Sequence, residues 1–450
     1  MNNIFTYNDI MDNPTSTILT EDTITHRIIK TEEEFDALEK SWNLLCERTN
    51  SFVFQTYDWN RTWWKYFGVF SKLQIFVLYD EETVVGIAPI FCDQYTLFGR
   101  NPYTYLRMIG STTSKTEEGV LLGQKAYSDY LQFLIHDEYV TPFYYHLIKF
   151  LKNEVRYDEL ILDEIPEHSS TLTILEKDFA SFGYDVSIND ASKTSFVVPN
   201  NNWDDYLNNL SRNERKNVRK CIRTFDSGET RIFRIERLDV RDDFQRYLER
   251  FIVMHQEQWN KAGFPGTFAE KCMSHFFLET SMKLHDEESL RLYALLPEGA
   301  GSNENYVAMS IVIVDSTRMY LQHSAMDISS DFLQYGPGKT LNTANILEAV
   351  QSQKIFDFLR GDEAYKFRLA NHINQNKTII VSIKSGHRRL YRWIVMLVQR
   401  VRKRLAIERV RKQIKMKQSP SITGWCSYLY FILTRLIHRR SHALKRTDKS

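Results

Sequence analysis

Residues 319–363 read MYLQHSAMDISSDFLQYGPGKTLNTANILEAVQSQKIFDFLRGDE, and their order decides the fold. Met319 to Ala325 is rich in strand-forming residues. Gln334-Tyr335-Gly336-Pro337-Gly338-Lys339 then turns into a helix expected over Thr340 to Ser352. The apolar run Ile355 to Leu359 reads as a second strand, closed by Arg360-Gly361-Asp362-Glu363. Strand, glycine turn, helix and strand in that order make a βαβ crossover, whose two strands lie parallel in one sheet.

Working upstream, Arg291 to Leu296 and Tyr306 to Val314 join Met319 to Ala325 as a β-meander, separated by the loop Pro297 to Asn305 and the turn Asp315 to Thr317. Two helices precede it, Asp243 to Asn260 and, after the turn Ala262 to Gly266, a second through Phe277. Ser211 and Glu214 form a capping box at the head of a helix running to about Ser227 and stopping at Gly228. On it Arg212, Arg215, Lys216, Arg219, Lys220 and Arg223 form a basic rail, while Val218, Ile222 and Phe225 make an apolar stripe. Thr194 to Val198 opens this lobe as a short strand. In the first lobe Glu32 to Cys46, Ala126 to Ile135 and Leu172 to Phe182 carry helical periodicity. Leu73 to Tyr79, Val84 to Phe91, Leu106 to Gly110 and Glu159 to Ile165 read as strands. The expectation is a mixed α/β (α+β) protein of two lobes: an extension at 1–25, lobes at 26–190 and 191–385, and a basic, mainly helical tail at 386–450.

Of the 450 residues, 43% are apolar, enough for sizeable cores and against global disorder. The net charge of +1 conceals an asymmetry. Residues 384–450 hold 19 Lys and Arg against Glu408 and Asp448, a balance of +17, so residues 1–383 carry −16. An acidic body with a basic tail points to an anionic surface as the tail's partner. In the tail Leu390, Ile394, Leu397, Val398, Val401 and Leu405 share a helical face. Trp425 to Leu433 adds a second apolar segment, and neither is long enough to span a bilayer. The five cysteines are scattered without metal spacing, and the first residues lack a charged start followed by an apolar run. No metal is expected, and the location is read as cytoplasmic, peripheral at the inner face of a membrane.

Three groups of residues carry chemistry. The Gly336-Pro337-Gly338 turn, flanked by Gln334, Tyr335, Lys339 and Thr340, can aim N–H groups and a helix dipole at a pyrophosphate, or can simply shape a tight turn. Asp362, Glu363, Tyr365 and Lys366, with Arg360, stand just past a strand end. A carboxylate there can act as a general base and a phenol can protonate a leaving thiolate; an ordinary salt-bridged strand end has the same composition. His255 and Trp259 share a helix, where a lone histidine is either structural or catalytic.

Together these motifs resemble the GNAT-superfamily acyltransferases of the CelD-like (cellulose biosynthesis) group, related to the FemAB-like proteins. The resemblance runs from about Ala37 to Arg392. It rests on Phe54-Gln55-Thr56-Tyr57-Asp58-Trp59, Val85-Gly86-Ile87-Ala88-Pro89-Ile90, Gly263-Phe264-Pro265-Gly266, Gly336-Pro337-Gly338 and Phe356 to Lys366. It implies two tandem GNAT-like lobes, with acetyl-CoA or another acyl-CoA as donor. The pyrophosphate would lie at Gly336 to Lys339 and the pantetheine between two splayed strands. The chain departs from the usual loop in carrying Leu333 three residues before the first glycine, with Gln334 one later. The implied reaction is direct acyl transfer to an amine or hydroxyl of a saccharide or envelope precursor, with His255 and Trp259 on the acceptor side. FemAB-like aminoacyl transfer from charged tRNA, and a non-catalytic partner of polysaccharide-synthesis proteins, are the alternatives; no DNA partner is expected.

Overall fold

The computed structural model describes residues 23–382, apart from 50, 98–99, 114–127, 200, 227, 229–230 and 302–304, together with scattered helical positions between 390 and 411. The first lobe comprises β1 (Ile24–Ile29), α1 (Glu32–Asp36), α2 (Glu39–Arg48), α3 (Tyr57–Phe67), β2 (Lys72–Leu73), β3 (Ile75–Asp80), β4 (Thr83–Ala88), β5 (Ile90–Leu97), β6 (Arg100–Met108), β7 (Leu134–Ile135), α4 (Val140–Asn153), β8 (Glu159–Ile165) and α5 (Ser170–Ser181). The long β9 (Asp185–Val197) leads to the second lobe: α6 (Trp203–Asn209), α7 (Arg212–Asp226), β10 (Phe233–Arg237), α8 (Arg241–Lys261), α9 (Lys271–Asp286), β11 (Leu290–Pro297), β12 (Ala308–Val314), β13 (Arg318–Met326), α10 (Pro337–Gln351), β14 (Ile355–Arg360), α11 (Ala364–Leu369) and β15 (His372–Ser382). The helical positions between 390 and 411 are α12.

Among the described residues, eleven strands form one sheet in the order β10-β11-β12-β13-β14-β9-β15-β8-β6-β5-β2. Two of its pairings are parallel, β6 with β8 and β13 with β14, one in each lobe. The expected crossover is the second of these. The division expected at 190/191 falls inside β9, which pairs with both β14 and β15 and so ties the lobes through backbone hydrogen bonds.

The lobes also share a core. Trp59 and Phe67 of α3 meet Phe276 of α9 edge-on, at 5.4 and 5.5 Å between ring centroids. Fully burying one such aromatic contributes about 2–3 kcal/mol. A second core lies under α4 and α5, and a third packs α10 on β11 to β14.

Two local readings are corrected. The helix expected over Ala126 to Ile135 is not formed in its described part, because Tyr130 sits at φ 53°, Leu131 N–H bonds to Glu164 O and Leu134–Ile135 is a strand. The helix comes later, at α4. At the head of α7, Ser211 Oγ accepts from Glu214 N–H as expected, but the Glu214 carboxylate turns away to Lys339 and Arg368, at 3.1 and 3.4 Å. The segment Trp425 to Leu433 lies outside the described residues.

Candidate active site

β13 and β14 pair at only three positions, Arg318–Ile355, Met319–Phe356 and Tyr320–Asp357, and then diverge. The cause lies in two irregularities. On β13, Gln322 is an extra residue against β12, whose Ile311 and Val312 face His323 and Leu321. On β14, the three steps from Asp357 to Arg360 match two steps on β9, with Leu359 at φ 56°. Each bulge bends its strand out of the shared ladder. Glu164 repeats this on β8, at φ 54° where the register against β15 also shifts.

A buried carboxylate pins the vertex of the fork. Asp357 is fully buried, and its oxygens accept from Tyr130 Oη at 2.8 Å, Arg318 Nη1 at 3.1 Å and Leu359 N–H at 2.8 Å. Burial raises its pKa, with the Arg318 cation and these donors opposing the rise.

The arm of β14 beyond the vertex ends in a charged cluster drawn from both lobes. Arg360 Nε lies 3.4 Å from Asp129 Oδ1, and its Nη1 lies 3.9 Å from Glu164 Oε1. Glu164 also accepts from Ser192 Oγ at 2.7 Å and Asn376 Nδ2 at 3.2 Å. Lys366 is buried, donates to Arg360 O at 2.9 Å and lies 3.2 Å from Glu363. This fold-back requires Gly361 at φ 150°, since a Cβ there would lie 2.6 Å from Lys366 Nζ. Burial pushes the Asp129 pKa up to about 6 despite Arg360. Facing this arm, His323 of β13 is held neutral, its pKa lowered to about 3 by burial with His255, Lys366 and Arg360 adding repulsion.

Among the expected site residues, His255 and Trp259 do come together, Trp259 Nε1 donating to His255 Nε2 at 3.0 Å. Burial lowers the His255 pKa to about 4, so the ring is neutral with its proton on Nδ1. The rings of His255 and His323 are 6.0 Å apart, and Gln258 Oε1 accepts from Met326 N–H at the end of β13. Tyr365 is packed against Phe358, and burial raises its phenol well above the ordinary value. Asp362 and Glu363, expected as the base, are both exposed at the strand end. Asp129 and Glu164 escaped sequence reasoning altogether; no local motif marks them.

The glycine turn stands at the open end of the same fork. Gly336 adopts φ 66° as the N-cap of α10, Pro337 takes the first helical position, and a Cβ on Gly338 would lie 3.6 Å from Met326 Sδ. Gly336 N–H is used by Leu333 O, and Thr340 N–H by Gly336 O. The first turn of the helix therefore leaves the N–H groups of Gly338 and Lys339 available to an anion. Above Gly336 the nearest atom to an added Cβ is 4.0 Å away, so the surface is open. Thr340, expected as a donor, is buried with Oγ1 against Thr224 Oγ1; Lys339 Nζ is engaged by Glu214; Tyr335 packs on Phe233; Gln334 is exposed.

Residues 212–367 match the family described as an acetyltransferase (GNAT) domain. The chain carries a GNAT-type acyltransferase domain. Its glycine turn, fork and β14 arm all fall inside that stretch, whereas Asp129 and Glu164 are brought to the GNAT domain by the first lobe. Among solved structures, the chain is similar to FemX at 13% identity and a TM-score of 0.51, covering 82% of this chain and all of that one. It is also similar to a conserved protein of unknown function from Bacteroides thetaiotaomicron VPI-5482 (10%, TM-score 0.46, 80% and 100% covered). A tandem GNAT protein from the clavulanic acid biosynthesis pathway matches at 9% and a TM-score of 0.36, over 81% and 100%. No curated protein matches the chain. The architecture is the mixed α/β one expected from the sequence, and the likeness to FemX is one of fold.

Acyl-CoA fits the residues present on three counts: two helix N–H groups, an open surface over the glycine turn, and a fork whose open end lies beside it. When bound it would supply an acyl group activated as a thioester. Gly338 and Lys339 would hold its pyrophosphate through their amides.

Proposed function

We propose that the protein is an acyl-CoA-dependent N- or O-acyltransferase of the CelD-like kind, acting by direct transfer on a saccharide or envelope precursor. The observation that carries this reading is the fork between β13 and β14, opening beside a glycine turn with two unused N–H groups. In this reading Asp129 accepts the proton of the attacking amine or hydroxyl, since a carboxylate poised near pH 6 suits that task better than the exposed Asp362 or Glu363. Tyr365, which keeps its proton, delivers it to the departing thiolate. Arg360 and Lys366 position Asp129 and supply positive potential; His255 and Trp259 border the acceptor. The basic tail suits peripheral attachment at an anionic membrane surface, and no helix among the described residues is long and apolar enough to cross a membrane.

The test is thiol release from acetyl-CoA with amino-sugar and hydroxyl acceptors. Acceptor-dependent release, reduced about a hundredfold or more by Asp129→Asn, supports the reading. No release with any acyl-CoA, together with no calorimetric binding, ends it.

One observation favours a second donor. Arg212, Lys216, Arg219, Lys220 and Arg223 are all exposed on α7, whose Glu214 contacts the head of α10 through Lys339, so a polyanion such as charged tRNA could approach the turn. Transfer of a labelled amino acid from tRNA, with affinity falling steeply in salt, would favour that reading.

A further inference from the structure

The tail is more than a charged string, because its helix α12 has two apolar faces with different fates. Val395 is fully buried in a cluster with Tyr95, Tyr103 and Tyr105 of the first lobe, and Tyr391, Ile394 and Val398 pack against it. Tyr391 stacks on Tyr103 at 5.8 Å between centroids and 23° between planes. This face fixes the helix to the sheet. The other face leaves Leu390, Trp393, Leu397, Val401 and Leu405 exposed, each between 45% and 62%, at helical spacings of three and four. The exposed Arg400 and Arg404 stand beside them. A row of five large exposed side chains on one helix is the mark of a docking surface.

Two occupants compete for it. A second copy of the same helix would bring two tails of +17 together, which charge repulsion opposes. An anionic bilayer accepts both features at once, taking the apolar row into the acyl boundary and the arginines into the headgroup layer. We infer that α12 docks the protein on an anionic bilayer through Leu390, Trp393, Leu397, Val401 and Leu405, while its tyrosine-packed face holds the first lobe in a fixed orientation to the lipid. This deepens the peripheral attachment proposed above and does not depend on the acyl-transfer reading. The orientation has a consequence: the sheet face that carries α12 also bears a cleft of about 360 Å³ lined by Arg107, Asp163, Asn189 and Thr378. Ile161 belongs both to that cleft and to the cluster under the helix, so the cleft opens beside the lipid-facing element.

The full-length chain is tested by co-sedimentation with vesicles of phosphatidylcholine, with and without phosphatidylglycerol. The comparison is with Trp393→Ser/Leu397→Ser, which keeps every basic residue and alters only exposed side chains. The expected result is binding to the phosphatidylglycerol vesicles, a loss of about 30-fold in the double variant, unchanged thermal unfolding, and residual binding of the parent in high salt. Equal binding by parent and variant, or binding abolished entirely by salt, would show a simple electrostatic tether and overturn it. So would a parent that is dimeric without lipid and becomes monomeric in the variant, since the row would then serve a second copy.

Discussion

Replacing Arg360 by methionine removes the cation between Asp129 and Glu164 while keeping most of the side chain's apolar stem. Arg360 has a side-chain exposure of 15%, and both carboxylates are more deeply buried. Removing one partner from such a buried arrangement costs about 3–5 kcal/mol at a pH where the carboxylates are ionised. The loss must depend on pH. Asp129 already has a folded pKa of about 6, above its unfolded value, and losing Arg360 moves it higher. A carboxyl with a raised folded pKa binds its proton preferentially in the fold, so stability returns as pH falls through that pKa and is lost as pH rises. Each pH unit in the window restores up to about 1.4 kcal/mol. Urea unfolding of parent, Arg360→Met and Arg360→Met/Asp129→Asn at pH 8 and pH 5.5 measures this, each variant against the parent at the same pH. We expect the single variant's deficit to shrink at pH 5.5 and the double variant to recover much of it at pH 8. A deficit below about 1 kcal/mol, or one identical at the two pH values, would refute the buried-cluster reasoning.

Gly361→Ala should destabilise by about 3 kcal/mol, combining left-handed strain with displacement of Lys366 from Arg360 O; urea unfolding with unchanged m checks it. Glu214→Gln should free Lys339 and Arg368 for phosphate and tighten acetyl-CoA binding about threefold to tenfold, read by calorimetry. His255 and His323, held neutral by burial to about pH 4 and 3, contribute stability that is full above an unfolded pKa near 6.5 and lost as pH falls toward 4. Thermal melts of His323→Phe across that range should show a shallower acid loss than the parent.

The crossover was legible because its signals are local. Gly336 is needed for φ 66°, Pro337 is preorganised for a first helical turn, and Ile355 to Leu359 is a compact apolar run. β9 was legible only at its buried end, Ser195 to Val197 with Thr194; its first half alternates exposed with half-buried residues and carries no apolar run to mark a strand. The helix α4 was displaced in the reading to Ala126–Ile135, because nothing in that stretch reports that Tyr130 is drawn across to Asp357. The same distance effect hid half the site. Tyr365, Lys366 and Arg360 belong to one short motif, whereas their electrostatic partners Asp129 and Glu164 come from another lobe and are assigned only by the sheet that joins the two. For the tail, periodicity found one apolar face; the structure divides it into a docked half and an exposed half.

Amide hydrogen exchange with and without acetyl-CoA tests the donor site most directly. A donor site at the glycine turn slows exchange at Gly338 and Lys339 and along the diverging arms, residues 321–326 and 358–361. Slowed exchange confined to other parts of the chain, or none at saturating acetyl-CoA, would contradict it.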